Sequence, residues 1–425
     1  MQLNLVLGAG KSGLSIAKLL LEKGEAVLIA DDKLSKLPEE FNQYPLCILY
    51  SRGLKLDLAE IEYKRVIKSP GLPHTHPLVD KLSQKYFMYS DIEIAYEYAQ
   101  DLTFVAITGS NGKTTVTKFL EHIGSPMIVS AGNIGIPLSE VVLNYENKIV
   151  ALELSSFQLE GIKTFKPKVA TILNLSPDHL DRYYDVNGYY NTKLNVYKNM
   201  SKEDTFILNT DDIQLNKRIK NLNASVIEAS LAYDKEIHID KGIVYFNEVE
   251  LFKIRDLKVV GTHNIFNAMI AASMAYVLGI PVSQIQKRVS SFKGVEHRLE
   301  FVLEKEGVSY FNDSKATNPE ATEVALRAFS HNNIHLILGG YDKQISFDVL
   351  KSYQDKCKSI HAFGQTKAKI KKLFNEAIVS ETLDEVIQKL SPAKGDVVLF
   401  SPACASYDQF DNYEQRGHRF KELIT

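Results

Sequence analysis

Ile107-Thr108-Gly109-Ser110-Asn111-Gly112-Lys113-Thr114-Thr115 begins at the end of an expected strand, Thr103 to Thr108, and precedes an expected helix. The reading is therefore strand, glycine loop, helix. Glycines let the main chain curl so that its N–H groups point inward, the helix start adds positive potential, and Lys113 brings a full charge to terminal phosphates. Thr114 would set its hydroxyl on Mg²⁺. The first glycine of the P-loop pattern would fall at 107, where this chain has Ile, so the loop is a variant of that pattern. The alternative is a tight turn carrying a solvated lysine; the flanking strand and helix favour nucleotide binding.

Outward from this loop, strands are expected at Met127 to Ser130, Ile149 to Leu154, Val169 to Leu173 and Thr205 to Leu208. Glu153 closes one of them, where a carboxylate emerges at the carboxyl edge of an α/β sheet. His179 follows another, in Ser176-Pro177-Asp178-His179-Leu180-Asp181-Arg182, and Lys193 lies on an expected helix. By residue type alone, His179 reads as a loop histidine and Lys193 as a solvated lysine.

The chain opens with a second unit of this kind. Leu3 to Leu7 reads as a buried strand, Gly8-Ala9-Gly10-Lys11-Ser12-Gly13 matches G-x-G-x-x-G, a helix follows to Gly24, and Ala26 to Ala30 ends at Asp31-Asp32. This is a βαβ unit with an acidic pair placed for a ribose. The segment has room for little more than a mononucleotide half, so the preferred ligand is the phosphates of a nucleotide other than the first, with an NAD site as competitor. A third run of strands starts after Lys293-Gly294, at Phe301 to Leu303, Val308 to Phe311, Ile334 to Leu338, Ser359 to Phe363, Ala377 to Val379 and Asp396 to Phe400, and is expected to form another parallel sheet. A length of 425 residues suits about three domains. The expected boundaries are 1–90, 91–294 and 295–425.

Bulk composition narrows the function. With 50 Lys plus Arg against 52 Asp plus Glu, no long-range field draws a polyanion, which disfavours nucleic acid as partner. Three dispersed cysteines give neither a metal spacing nor a disulfide framework. No stretch is long and apolar enough for a membrane span, and no secretory leader is read, so a cytoplasmic protein is expected. His74-Thr75-His76 has a metal-like look but lies between prolines, and a surface loop is the expectation. Cys404 reads as a packed thiol, and Tyr183, Tyr184, Tyr189 and Tyr190 as aromatic packing.

Taken together, Thr108 to Thr115, Glu153-Leu154-Ser155-Ser156-Phe157-Gln158-Leu159, Asp178 to Arg182, His263-Asn264 with Asn267, His297-Arg298, Asn312-Asp313-Ser314-Lys315-Ala316-Thr317-Asn318 and Ser401-Pro402-Ala403-Cys404-Ala405-Ser406 resemble the Mur ligases, in the family's order and across nearly the whole chain. The Asn312 to Asn318 and Ser401 to Ser406 segments look like the branch that adds D-glutamate. The resemblance implies an α/β fold of three domains: an N-terminal Rossmann-like domain for a UDP group, a central P-loop-type mononucleotide-binding sheet for ATP, and a C-terminal Rossmann-like domain for the incoming amino acid.

It also implies roles. Gly109, Ser110, Asn111, Gly112, Lys113, Thr114 and Thr115 would hold ATP, with Asn267, Arg298 and Asp313. Thr114 and Glu153 would ligate one Mg²⁺; His179 and a carbamylated Lys193 would serve a second. Lys315 matches a position near the reacting phosphate. Ser12, Asp31, Asp32, Ser69 and Asn133 match the side of UDP-N-acetylmuramoyl-L-alanine, while Thr317, Lys343, Ser406, Tyr407 and Tyr413 match that of D-glutamate. Two departures stand out: Asp31-Asp32-Lys33 where relatives often have Asp-Thr-Arg, and Tyr413 where Phe is usual. The expected activity is ATP-dependent amide formation through an acyl phosphate in peptidoglycan precursor synthesis, by a monomer. A different Mur-type or folylpolyglutamate-type ligase, an NAD-dependent oxidoreductase and a nucleotide-binding module without turnover are the alternatives.

Overall fold

A computed structural model describes residues 2–177, 183, 185–330 and 333–425. Strands β1 (Leu3–Leu7) and β2 (Ala26–Ala30) are aliphatic but for Asn4, whose amide donates to the Ala26 carbonyl at 3.0 Å, and are almost wholly buried, as parallel strands covered on both faces must be. Between them α1 (Lys11–Glu22) puts Ile16, Leu19 and Leu20 at 0% exposure, worth roughly 1.5–3 kcal/mol each. Strands β3 (Cys47–Tyr50) and β4 (Tyr63–Lys68), helix α2 (Pro77–Ser83) and strand β5 (Met88–Tyr89) complete a five-stranded sheet of order β3-β2-β1-β4-β5. All its pairings are parallel. It is larger than the half-unit expected from sequence. Strand order reverses at β1/β4, which opens a crevice at their carboxyl ends.

Helix α3 (Asp91–Glu97), capped by Ser90, leads into the second sheet. Its Glu93 is 1% exposed and accepts the main-chain N–H groups of Lys163, Thr164 and Phe165, which fixes the helix. Then follow β6 (Thr103–Thr108), α4 (Lys113–Gly124), β7 (Ile128–Gly132), α5 (Leu138–Asn144), β8 (Ile149–Glu153), α6 (Ser156–Glu160), β9 (Val169–Ile172), α7 (Val186–Leu194), β10 (Thr205–Asn209), α8 (Ile213–Arg218) and β11 (Ser225–Ala229). Three short strands extend it: β12 (Ile237–Asp240), β13 (Ile243–Phe246) and β14 (Val249–Lys253). The nine-stranded order is β14-β13-β12-β11-β10-β9-β6-β8-β7, with β12 and β13 antiparallel. Strand β6 sits between β8 and β9, so its glycine loop opens at a switch of strand order.

After helices α9 (Thr262–Val277) and α10 (Val282–Val289), the third sheet contains β15 (Glu300–Lys305), β16 (Val308–Asn312), β17 (Ile334–Gly339), β18 (Cys357–Phe363), β19 (Ile378–Val379) and β20 (Val397–Phe400). Its order is β15-β16-β20-β17-β18-β19. The expected parallel sheet acquires an antiparallel edge, because the tight turn at Glu306-Gly307 folds β15 directly onto β16. Helices α11 (Pro319–Arg327), α12 (Lys367–Leu373), α13 (Leu383–Lys389) and α14 (Tyr413–Ile424) cover it. The chain divides into two compact units, Met1–Phe252 with Met269–Gln286, and Lys253–Ala268 with Lys287–Thr425. Among the described residues no helix is long and apolar enough to cross a membrane.

Candidate active site

The loop after β6 is built for close approach. Gly112 caps α4 at φ 85°, a left-handed conformation that other residues adopt at a cost. Asn174, just past β9, ties the loop down: its side chain accepts the Asn111 N–H at 2.9 Å and donates to the Asn111 carbonyl at 3.1 Å. Ser110 Oγ donates to the Ser176 carbonyl at 2.8 Å and accepts the Ser176 N–H at 2.9 Å. Lys113 Nζ turns back to the carbonyls of Gly109 and Ser110, 2.9 Å from each. Thr114 and Thr115 lie in the first turn of α4, Thr115 buried.

Two groups from distant segments converge here. Lys193, 1% exposed on α7, donates to the Gly109 carbonyl at 2.9 Å, and its ammonium lies 4.6 Å from the Tyr189 ring centre. Glu153, also 1% exposed, accepts from Asn133 Nδ2 at 2.9 Å through one oxygen, while its other oxygen is buried without a hydrogen bond among the described residues. A buried carboxylate oxygen lacking a donor is costly. A divalent cation would satisfy it, and a carboxylate oxygen is the kind of donor that suits Mg²⁺. His179 lies outside the described residues.

The first unit also contains a cavity of about 550 Å³, within the range of small-molecule sites. Ser12, Asp31, Asp32, Ser69 and Asn133 all line it, together with Lys11, Lys33, Gly135 and Gln158. Asp31 accepts the N–H groups of Ala9 (2.7 Å), Lys33 (2.7 Å) and Leu34 (3.1 Å), which hold its carboxyl below the usual range against the effect of burial. The Asp31 carboxylate thus shapes the loop. Beneath the cavity, Asp91 is 2% exposed and neither of its oxygens makes a well-formed hydrogen bond among the described residues. Burial pushes its carboxyl up to about 6, with Ser12 and Gln158 opposing.

In the second unit, Asp313 accepts from the Leu299 N–H at 3.0 Å and from Ser401 Oγ at 2.6 Å, and burial pushes it up to about 7 against the pull of Arg298 and Arg416. Asn267 donates to Asn264 at 3.2 Å. Lys315 Nζ stands 5.4 Å from the Tyr413 ring centre, and Tyr413 offers its carbonyl to Ser314 Oγ at 2.8 Å. Thr317 and Lys343 share a small hollow with Cys404, Lys343 Nζ lying 3.4 Å from the Thr317 carbonyl. Ser406 is buried and Tyr407 is 69% exposed. Burial pushes the Cys404 thiol up to about 11, which suits a packed thiol. In the first unit His74 bonds Glu160 and His76 caps α2, so neither resembles a metal ligand.

Sequence reasoning did not single out Asn174, Asp91 or Lys11 as site residues. Lys11 lay in plain view inside the glycine loop; the other two come into place only through the fold.

The geometry is that of a phosphate-binding loop at a switch of strand order, and comparison with known proteins gives the class: an ATP-dependent ligase. Residues 107–275 match the Mur ligase middle domain, and 297–404 match the glutamate ligase domain of Mur ligases. The chain belongs to the Mur ligase family. Relatives similar along nearly its whole length are named UDP-N-acetylmuramoylalanine–D-glutamate ligase. Those of Geobacillus sp. (strain WCH70) and Aquifex aeolicus are each 36% identical, over 98% and 99% of this chain and 96% and 98% of theirs; that of Enterococcus faecalis is 37% identical over 99% and 96%. Among solved structures, the UDP-N-acetylmuramate–alanine ligase of Thermotoga maritima matches with a TM-score of 0.60 and 17% identity over 100% of this chain and 99% of that one. The MurF ligase of the same organism, in complex with ADP, gives 0.56 and 18% over 99% and 94%. At that identity the likeness concerns the fold.

Proposed function

We propose that the chain joins D-glutamate to UDP-N-acetylmuramoyl-L-alanine with hydrolysis of ATP to ADP and phosphate, in peptidoglycan precursor synthesis. The observation that carries this reading is the meeting of Lys113 and Lys193 on the Gly109 carbonyl, in a phosphate loop. Its working parts would be a UDP-substrate domain over 1–90, an ATP domain over 91–294 and an amino-acid domain over 295–425, in a cytoplasmic monomer.

Main-chain N–H groups from Gly112 to Thr115, at the start of α4, cradle the phosphates, and Lys113 offsets charge as the γ-phosphoryl group transfers. The substrate's alanyl carboxylate oxygen attacks the γ-phosphorus, the bond to the β-phosphate oxygen breaks, and ADP leaves an acyl phosphate behind. The amine of D-glutamate then attacks the acyl carbon; phosphate departs, the nitrogen loses its proton, and an amide remains. Thr114 and Glu153 would hold one Mg²⁺, and His179 with carbamylated Lys193 a second. Bound there, Mg²⁺ supplies charge neutralisation at the transferring phosphoryl group. Asn267, Arg298 and Asp313 serve the nucleotide and Lys315 the reacting phosphate, while Thr317, Lys343, Ser406, Tyr407 and Tyr413 receive D-glutamate.

ADP release is the test. It should require UDP-N-acetylmuramoyl-L-alanine, Mg²⁺ and D-glutamate together; equal turnover with L-glutamate or with a folate in place of these substrates would replace this reading with the folylpolyglutamate-type alternative.

A further inference from the structure

The cavity of the first unit is lined by two carboxylates and two ammonium groups. Both carboxylates are engaged with main chain: Asp31 with Ala9, Lys33 and Leu34, and Asp32 with the Leu54 N–H at 2.8 Å. Lys11 is placed differently. Its Nζ reaches 2.6 Å from the carbonyl of Gly135, a residue 124 positions further along the chain, and so sets a full positive charge on a neutral acceptor at the cavity wall.

Local energetics argue against a lysine there. Lys11 is the first residue of α1, a 12-residue helix whose opening turn contains no acidic residue, so a cation adds to the positive end of the helix dipole. A departure from a local rule of this kind tends to mark a functional position. The close-packed glycine loop reinforces it: a Cβ on Gly13 would lie 1.9 Å from the Gly8 carbonyl oxygen, so the loop is pressed against α1, and Gly8, Gly10 and Ser12 line the cavity beside Lys11. Positive helix end, glycine loop and ammonium thus form one locus.

We propose that Lys11 is a positioning residue for the UDP-linked substrate, exchanging the Gly135 carbonyl for the diphosphate bridge when that substrate enters. The inference rests on the reading of this cavity as the UDP-substrate site and assigns a residue that the family resemblance did not. Against the Gly135 carbonyl the ammonium meets a neutral partner, whereas a diphosphate brings full opposite charge, and the Coulomb attraction between the two drives the exchange. The charge that Lys11 sets beside α1 then has its counterpart in the ligand, and uridine lacking phosphates gains nothing from it.

Calorimetry on the full chain with two probes, UDP and uridine, tests this. Lys11→Met should weaken UDP about tenfold and leave uridine unchanged, while Lys11→Arg stays within about threefold of wild type for UDP. In turnover, Lys11→Met should raise KM for the UDP-linked substrate and leave KM for ATP unchanged. Unchanged UDP affinity in Lys11→Met would overturn the proposal, as would an equal loss for UDP and uridine, which marks Lys11 as a strap on Gly135 only. A wild-type chain that binds neither probe but still hydrolyses ATP with the full substrate set would overturn the reading of the cavity, and the proposal with it, while leaving the ligase assignment intact.

Discussion

Lys113 and Lys193 donate to the same acceptor, the main-chain carbonyl of Gly109, each at 2.9 Å. Their ammonium groups are therefore within about 6 Å of each other, where like charges repel by roughly 3 kcal/mol at an effective dielectric constant of 20. One is held by the loop's own helix and the other by α7, so the crowding is imposed by tertiary structure. An anion suits two ammonium groups so placed, whether phosphate in the loop or a carbamate on Lys193. Lys113→Ala should lose roughly 10²-fold or more in turnover, by analogy with removing one stabiliser of transition-state charge. Lys193→Ala should be inactive in ADP release and partly recover with a small added carboxylic acid. A fully active Lys193→Ala chain would show that this lysine is only a buried support for Gly109.

Glu153 offers a sharper separation of roles. One oxygen is bound by Asn133 and the other is buried with no hydrogen bond among the described residues. Glu153→Gln keeps the shape and removes the charge, so the Mg²⁺ concentration for half-maximal ADP release should rise at least about tenfold while the thermal midpoint changes little. Asn133→Ala removes the orienting donor yet leaves the charge, and should raise that concentration less. An unchanged Mg²⁺ titration in Glu153→Gln would move the metal site elsewhere.

Asp91 predicts a stability that depends on pH in an uncommon direction. Burial raises its carboxyl from 3.8 to about 6. The protonated form is thus favoured in the fold, and its contribution is complete below pH 3.8 and declines as pH rises through 6. Asp91→Asn cannot ionise. Between pH 3 and pH 8 the stability of the variant relative to wild type should therefore improve by about 3 kcal/mol, read from denaturant unfolding. A constant difference across that range would mean that Asp91 ionises in the fold as it does in water.

What could be read from the residues was whatever is local. The strands β1, β2 and β6 are short, mostly apolar runs, β1 and β6 each followed by a glycine loop, and they lie where the sequence places them because burial on both faces admits few polar residues. Strand β4 escaped notice since Lys64 and Arg65 interrupt its pattern; the fold accommodates them by pairing both with Glu25, at 2.9 and 3.2 Å. Strands β12 to β14 are short and half-exposed, so their composition resembles that of loops. At the site, the glycine loop and its lysine were legible for the same local reason. The contact of Lys193 with Gly109 spans 84 residues and that of Lys11 with Gly135 spans 124, and no periodicity encodes such distances.

The third sheet contains a polar chain that should make the second unit sensitive to acid. Lys358 and His335 both bind Asp396, at 2.7 and 3.0 Å; His335 meets Ser359 Oγ at 2.7 Å, and Ser359 meets His361 at 3.0 Å. His361 is 1% exposed, and burial, with His335 and Lys389 nearby, holds it down to about 4. A depressed histidine is neutral in the fold and protonates readily once unfolded. Its contribution is therefore intact above pH 6.5 and is lost as pH falls toward 4. Replacing it with an uncharged residue removes that term: His361→Gln should lose about 2 kcal/mol less than wild type between pH 7.5 and pH 5. Asp396 acts in the same sense, since its own hydrogen bonds depress its carboxyl and protonation at still lower pH would release Lys358 and His335. Denaturant unfolding at the two pH values, followed by a probe in the second unit, decides the matter: identical losses in wild type and His361→Gln would place the acid sensitivity outside this chain of side chains.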